Sequence, residues 1–131
     1  MLVDSTILIY AAQLRHAQLR RFIADHAPAV SAVSYVEVLG YHDLEAEERQ
    51  YLEEIFRLAQ VFPLSQAVLD QAVALRQQRK RSLGDVLVVG TALVHGLTLV
   101  TCNIEDFRWV QGLALFNPFD EESHQEQEPQ G

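Results

Sequence analysis

The stretch Ser82–Thr101, SLGDVLVVGTALVHGLTLVT, is the most apolar long segment of the chain and indicates where the centre of the fold lies. Ser82 is a favourable N-cap residue, and Leu83–His95 is apolar on nearly every side before Gly96 ends the segment. Leu97–Thr101 is rich in β-branched residues, which is typical of a strand. Because a helix without a polar face has to be buried, the stretch predicts a central helix that leads into a central strand.

The same alternation of short strands and helices extends over the rest of the chain. Four further apolar segments predict strands: Leu2–Val3, Ala29–Val30, Val61–Phe62 and Leu113–Phe116. Helices are predicted between them, at Ile7–Ala12, Gln13–His26, Val33–Leu39 (capped by Ser31), Glu45–Gln60 and Gln66–Arg79 (capped by Ser65). The second is expected to bury Leu14, Leu19, Phe22 and Ile23, and the last to bury Val68, Leu69, Ala72, Val73 and Leu75. The pattern predicts an α/β fold with a short central parallel sheet flanked by helices.

Composition indicates one domain followed by an acidic tail. We expect residues 1–119 to form the domain and residues 120–131, which are rich in Gln and Glu, to be disordered. The 131 residues carry 18 acids and 10 bases, and five of the acids but none of the bases lie after residue 119. A net charge of −8 excludes a broadly basic nucleic-acid coat, so any polyanion has to be held by local basic patches or metal ions.

Three features of the sequence predict where in the cell the protein is found. No apolar run approaches the roughly 18 to 20 residues of a membrane span, and an acid stands at position 4. The single cysteine, Cys102, lies in an apolar run and predicts a buried, inert thiol. We therefore expect a cytoplasmic protein with no membrane partner.

Acidic or amide side chains stand where strands end or helices begin. Asp4 follows the first strand, Asp85 lies in the first turn of the central helix, and Asn103 and Asp106 follow the strand after it. Glu37 lies within an otherwise apolar helix. Each has an ordinary explanation: a helix cap for Asp4, a capping box for Asp85, solvent exposure for Glu37 and a turn for the other two.

Taken together, these positions favour a metal site. The carboxyl ends of parallel strands meet at one edge of a sheet, where ligands bind. Carboxylates gathered there without basic partners repel one another, and a hard divalent cation such as Mg²⁺ or Mn²⁺ relieves the repulsion. One or two such ions held by carboxylates suit hydrolysis of phosphodiester bonds, without a serine or cysteine nucleophile.

Four segments of the chain are similar in order and spacing to the motifs of the PIN-domain family, and within it to VapC toxins: Leu2–Tyr10, Ser34–Val38, Ser82–Leu93 and Thr101–Phe107. The resemblance covers residues 1–119 and implies a PIN-like three-layer sandwich. It implies that Asp4, Glu37 and Asp85 bind metal and act in catalysis, with Thr6 lining the site.

The chain departs from the family at two positions. Gly84 stands where many relatives have proline, which removes no ligand. Asn103 stands where much of the family has a fourth acid, so it is a candidate metal ligand without charge. Asp106, three residues on, is the alternative candidate, which would act in catalysis through a metal-bound water.

The resemblance also implies an activity and partners. It implies a metal-dependent endoribonuclease that cuts tRNA or rRNA as the toxin of a toxin–antitoxin pair. A small VapB-like antitoxin would cover the acidic site. Homodimers are implied, with the helices Glu45–Gln60 and Gln66–Arg79 as candidate surfaces.

Basic residues offer candidate RNA contacts. Arg79, Lys80 and Arg81 precede the Asp85 helix, and Arg15 lies on the helix after Asp4. The alternative for the first three is favourable placement at a helix C-terminus. Trp109 and Phe107 are able to stack on a base, although packing is the commoner role.

Other functions fit less well. A catalytically weak PIN module that binds RNA or a protein partner stays open because of Asn103. A receiver domain expects paired acids after the first strand and a lysine after a late strand, whereas the only lysine is Lys80. An Asp-x-Asp phosphatase fails because Thr6 occupies the place of the second acid.

Overall fold

The computed structural model describes residues 1–120, which form five short strands and seven helices. The strands are β1 (Leu2–Val3), β2 (Val30–Ser31), β3 (Val61–Phe62), β4 (Leu99–Val100) and β5 (Leu115–Phe116). The helices are α1 (Ser5–Ala12), α2 (Ala17–His26), α3 (Ala32–Leu39), α4 (Ala46–Leu58), α5 (Gln66–Gln78), α6 (Leu83–His95) and α7 (Ile104–Phe107). Short 3₁₀ turns lie at Leu14–His16 and Pro118–Asp120.

All strand pairs are parallel. β4 lies between β1 and β5, and β2 pairs with β3. A parallel bridge between Leu2 and Ala29 joins the two groups, which gives the spatial order β3-β2-β1-β4-β5. The prediction of an α/β fold with a short parallel sheet flanked by helices is confirmed. Because the strands are parallel, the residues that follow them lie at one edge.

The central helix α6 is buried as predicted. Seven consecutive residues, Val86–Ala92, are buried, Ser82 caps the first turn, and Gly96 ends the helix in the left-handed region at φ 64°. α5 packs closely along it at Gly90, where a Cβ would lie 3.0 Å from the carbonyl oxygen of Val68. Tight packing on this side and the sheet on the other fix the direction in which the first turn of α6 points.

Several local predictions are wrong. The helix predicted over Gln13–His26 is broken, because Gln13 is extended and a 3₁₀ turn precedes α2; Leu14 in that turn is 73% exposed. The turn predicted at Asn103–Asp106 opens the helix α7. Leu69 and Val73, expected in the core, lie on the outer face of α5 and are 40% and 57% exposed.

The described part of the chain ends at Asp120, so residues 121–131 of the predicted tail lie outside it. Of the helices in residues 1–120, none combines the length and the apolar character that crossing a membrane requires.

Candidate active site

Asp4 lies at the end of β1 and caps α1. Its Oδ1 accepts a hydrogen bond from the backbone N–H of Ile7 at 2.9 Å, so the helix-cap explanation holds. Its side chain is nevertheless buried. Burial raises the pKa of Asp4 above the ordinary value; hydrogen bonds from Thr101 and Ile7 oppose this, and the charges of Asp85 and Glu37 add to it. A cap alone does not require burial beside two other carboxylates.

Glu37 extends from α3 toward the first turns of α1 and α6. Its Oε1 accepts a hydrogen bond from Ser5 Oγ at 2.7 Å, and Ser5 Oγ lies 2.9 Å from Ser34 Oγ. The carboxylate occupies the space above Gly84, where a Cβ would lie 2.1 Å from Oε2 and 2.7 Å from Cδ. Glycine at position 84 therefore provides the room that this carboxylate uses.

Asp85 lies in the first turn of α6. Its backbone N–H donates a hydrogen bond to Ser82 Oγ at 3.1 Å. Its carboxylate has no hydrogen-bond partner within residues 1–120. The predicted capping box is thus half formed, and the half-buried carboxylate is available to a ligand.

One small cavity, of about 60 Å³, brings the three acids together. Its lining consists of Asp4, Ser5, Thr6, Glu37, Asp85, Val88 and Phe107. No lysine, arginine or histidine is among these residues, so the negative charges are not neutralised within the cavity. The resemblance to the PIN family predicted Thr6 in this site, but Ser5 and Phe107 were not predicted. In the sequence, only their positions next to Asp4 and Asp106 could have indicated them.

The donor set fits a hard divalent cation, because the available ligands are anionic or hydroxyl oxygens. The side chains do not converge on one point, however. Among residues 1–120, no three His, Cys, Asp or Glu side chains lie close enough to one another to hold a single ion. One oxygen of Asp4 and one of Glu37 are already used in hydrogen bonds within the protein.

Asn103 and Asp106 are not brought into this cavity. Both are exposed, and both line a neighbouring, more open cavity of about 370 Å³ together with Glu105 and Arg108. Thr101 lies between the two regions: its side chain bonds Asp4, and its Oγ1 accepts from the backbone N–H of Asn103 at 3.1 Å.

Cys102 lies beside these residues and is partly buried. Burial and the charge of Asp4 raise the pKa of its thiol, which suits the inert role predicted for it.

The candidate RNA-binding residues lie in two separate parts of the structure. Arg15 is exposed, donates to Gln13 at 3.0 Å and lines a different cavity, beside the start of α4. Arg79 and Arg81 lie next to Trp109, and Lys80 between them is exposed. Arg81 also donates to the carbonyl oxygen of Asp106 at 2.8 Å, which places this group close to the acidic cavity.

Solved structures with the same fold come from toxin–antitoxin complexes. A chain of a toxin–antitoxin complex from Klebsiella pneumoniae is 27% identical, with 89% of this chain and 96% of that chain covered and a TM-score of 0.69. A chain of VapBC2 from Rickettsia felis, bound to a DNA fragment from its promoter, is 22% identical, with 88% and 96% covered and a TM-score of 0.75. A chain of DNA-bound VapBC from Salmonella typhimurium is 14% identical, with 89% and 96% covered and a TM-score of 0.76.

No curated protein matches the sequence significantly. The family model described as "PIN domain" matches residues 1–113, a range that contains all three acids of the cavity and nearly the whole described fold. The chain belongs to the PIN-domain family.

Proposed function

We propose that the protein is a metal-dependent endoribonuclease that acts as the toxin of a toxin–antitoxin pair. The observation that carries this proposal is the cavity in which Asp4, Glu37 and Asp85, from three separate elements, meet without a basic neighbour. Membership of the PIN family and the likeness to chains of VapBC complexes support the same activity.

In this proposal Asp4, Glu37 and Asp85 would hold Mg²⁺ or Mn²⁺, which requires their side chains to converge further than they do in this structure. Bound there, the cation would supply Lewis acidity for activating water and for stabilising charge on the scissile phosphate. Ser5 orients the Glu37 carboxylate through its hydroxyl. The hydrogen bond from the backbone N–H of Ile7 orients the Asp4 carboxylate. Thr6 lines the cavity, and in this proposal its hydroxyl donates a hydrogen bond to a phosphate oxygen.

The assignment of Asn103 and Asp106 stays a prediction. Because both line the neighbouring cavity, a contribution from either to the metal site would pass through water. Asp106 as a further acid in catalysis, and Asn103 as an uncharged ligand, are tested by the single substitutions Asp106→Asn and Asn103→Ala in the assay below.

The proposal includes partners. The solved relatives are complexes with antitoxins by their descriptions, and we propose a small VapB-like antitoxin for this chain. An antitoxin that covered the acidic cavity would exclude RNA from it. The RNA substrates proposed are tRNA or rRNA.

The decisive assay is cleavage of a short single-stranded RNA labelled with a fluorophore and a quencher. The antitoxin-free protein is tested with Mg²⁺, Mn²⁺ and EDTA, beside Asp4→Asn and Asp85→Asn. Asn also caps helices well, so Asp4→Asn keeps the fold while removing the charge. Asp25→Asn, at an exposed position of α2, is the matched control.

We expect cleavage with either metal, none with EDTA, and a loss of about 10²-fold or more in both site variants but not in the control. Cleavage that survives in Asp4→Asn and Asp85→Asn would refute the site. Failure to cut the short RNA, total tRNA and rRNA would refute the nuclease.

The second candidate is a catalytically weak PIN module that binds RNA or a protein partner. Two observations favour it: the acids do not converge on one ion, and Asn103 replaces a charged group. RNA binding that persists without any metal-dependent cleavage would support this function over the first.

A further inference from the structure

Trp109 lies beside two of the candidate RNA-binding residues, Arg79 and Arg81, and has no role in the site described above. We infer that Trp109 is a positioning residue that holds Arg79 and Arg81 for binding the RNA backbone next to the scissile phosphate. The inference rests on the proposed ribonuclease function and specifies how the strand is held.

Arg79, Arg81 and Trp109 form one cluster, and two of its three side chains share a backbone oxygen. The Cζ atoms of Arg79 and Arg81 lie 5.1 Å and 5.9 Å from the centre of the Trp109 ring. Trp109 Nε1 and Arg81 Nη2 both donate to the carbonyl oxygen of Asp106, each at 2.8 Å. The ring and the Arg81 guanidinium are therefore fixed relative to each other before any ligand binds.

The cluster is placed at the edge of the acidic cavity by two different segments. Arg81 directly precedes Ser82, the cap of the helix whose first turn carries Asp85. Asp106 directly precedes Phe107, which lines the cavity. Both segments thus connect the cluster directly to residues of the acidic cavity. In this inference, an RNA strand with one phosphate at the three acids has a neighbouring phosphate at these cations.

Within residues 1–120, the charges of this cluster have no acidic partner. Arg49, Arg57 and Arg108 each form an ion pair with a glutamate. Among residues 1–120, no acidic side chain pairs with Arg79, Lys80 or Arg81. On a chain with a net charge of −8, three unpaired cations beside an uncompensated acidic cavity provide the local attraction that a polyanion needs.

A cation–π contact with tryptophan suits a phosphate ligand. A guanidinium held over an aromatic ring still offers the N–H groups that the protein does not use to phosphate oxygens. Because its rotation is restricted beforehand, it loses less conformational freedom when RNA binds. Arg20 lies over Tyr51, but it donates two hydrogen bonds to the carbonyl oxygens of Ala11 and Ala12. The side chain of Arg81 donates only one, to Asp106, and the side chain of Arg79 makes none of the hydrogen bonds found among residues 1–120.

The test uses Trp109 as its own reporter, because it is the only tryptophan in the chain. The complete protein is titrated with a 2′-O-methyl RNA of about 12 nucleotides, which covers a typical single-strand site. EDTA is present throughout and prevents cleavage by withholding the metal. Trp109 fluorescence reports contact at the cluster, and anisotropy of a labelled oligonucleotide gives Kd. We expect a saturable change in fluorescence at the same Kd.

Variants separate positioning from packing. We expect Trp109→Ala to raise Kd about tenfold and Trp109→Phe, which keeps an aromatic face, to raise it less. Arg79→Ala removes an exposed side chain, so the fold persists; it should raise Kd and reduce the slope of log K against log salt by about 0.7. Arg21→Ala, an exposed arginine of α2, is the matched control and should change neither.

In the cleavage assay, Trp109→Phe and Arg79→Ala should raise KM and leave kcat unchanged. The inference is overturned if RNA leaves Trp109 fluorescence unchanged, if Arg79→Ala binds as tightly as the unaltered protein, or if Arg21→Ala weakens binding equally. It is also overturned if a polyglutamate peptide, but not RNA, changes the fluorescence, since that outcome identifies an acidic protein partner. A fluorescence change and a weaker Arg79→Ala without any cleavage would support the RNA contact and refute the nuclease.

Discussion

Asp4 combines two roles that conflict in a protein without metal. As the cap of α1 it stabilises a helix terminus, which by itself is worth about 1 kcal/mol. As a buried carboxylate with a raised pKa near Asp85 and Glu37, it destabilises the folded state at neutral pH. The divalent cation that we propose would remove this conflict.

Gly84 leaves the space that the Glu37 carboxylate occupies, so a substitution at this position tests the role proposed for Glu37. In Gly84→Ala the new Cβ would overlap the Glu37 carboxylate, which is the flexible end of a side chain and turns aside. We expect weaker Mn²⁺ binding by calorimetry and slower cleavage. Thermal stability should stay the same or rise slightly, because alanine favours a helix.

Gly90→Ala, the same substitution in the same helix, provides the contrast. Its Cβ would meet the backbone of α5 at Val68, which cannot turn aside, so the melting temperature should fall with little effect on Mn²⁺ affinity. Loss of stability without loss of Mn²⁺ binding in Gly84→Ala would contradict the role assigned to Glu37.

The helices α5 and α6 begin with the same type of serine cap, but of these two only α6 carries part of the candidate site. Ser82 Oγ accepts from Asp85 N at 3.1 Å in α6, and Ser65 Oγ accepts from Val68 N at 3.3 Å in α5. Ser82→Ala and Ser65→Ala should each lower the free energy of unfolding by about 1 kcal/mol. Only Ser82→Ala should slow cleavage, because fraying of α6 displaces Asp85.

Urea unfolding and initial cleavage rates check this pair of variants. Equal losses of activity would mean that the first turn of α6 has no special part in the site. A loss of stability far above that of Ser65→Ala would mean instead that the turn is mainly structural.

At the level of the whole fold, residues 1–120 leave an apolar face of α5 uncovered. Leu69 and Val73, one helical turn apart, are 40% and 57% exposed, although the spacing of the sequence predicted them in the core. We propose that a second copy of the chain covers this face, as the implied homodimer requires. The α4 helix, the other candidate surface, exposes mainly charged residues apart from Leu58.

Val73→Glu tests the dimer by size-exclusion chromatography with light scattering. We expect the unaltered protein to have the mass of a dimer at micromolar concentration and the variant to have that of a monomer, because a charge opposes burial between copies. Ala74→Glu, on an adjacent exposed position, should leave the dimer intact. A monomeric unaltered protein would disprove the assignment.

The alternation of elements, the buried central helix and the three candidate acids were predictable from the sequence alone: Asp4 follows a strand, Asp85 begins a helix and Glu37 interrupts an apolar helix. These follow from local physics: apolar periodicity, cap residues and turn residues are read within a few positions. Asp4, Glu37 and Asp85 were also marked by the order of the motifs that resemble the PIN family.

Only the tertiary structure decided which side chains meet. Phe107 and Ser5 line the acidic cavity, whereas Asn103 and Asp106 face the one beside it. The contact of Trp109 with Arg79 and Arg81 joins segments about thirty residues apart, and no local pattern encodes it. Cavities and clusters depend on the direction of each side chain after packing, which the spacing of residues along one element leaves open.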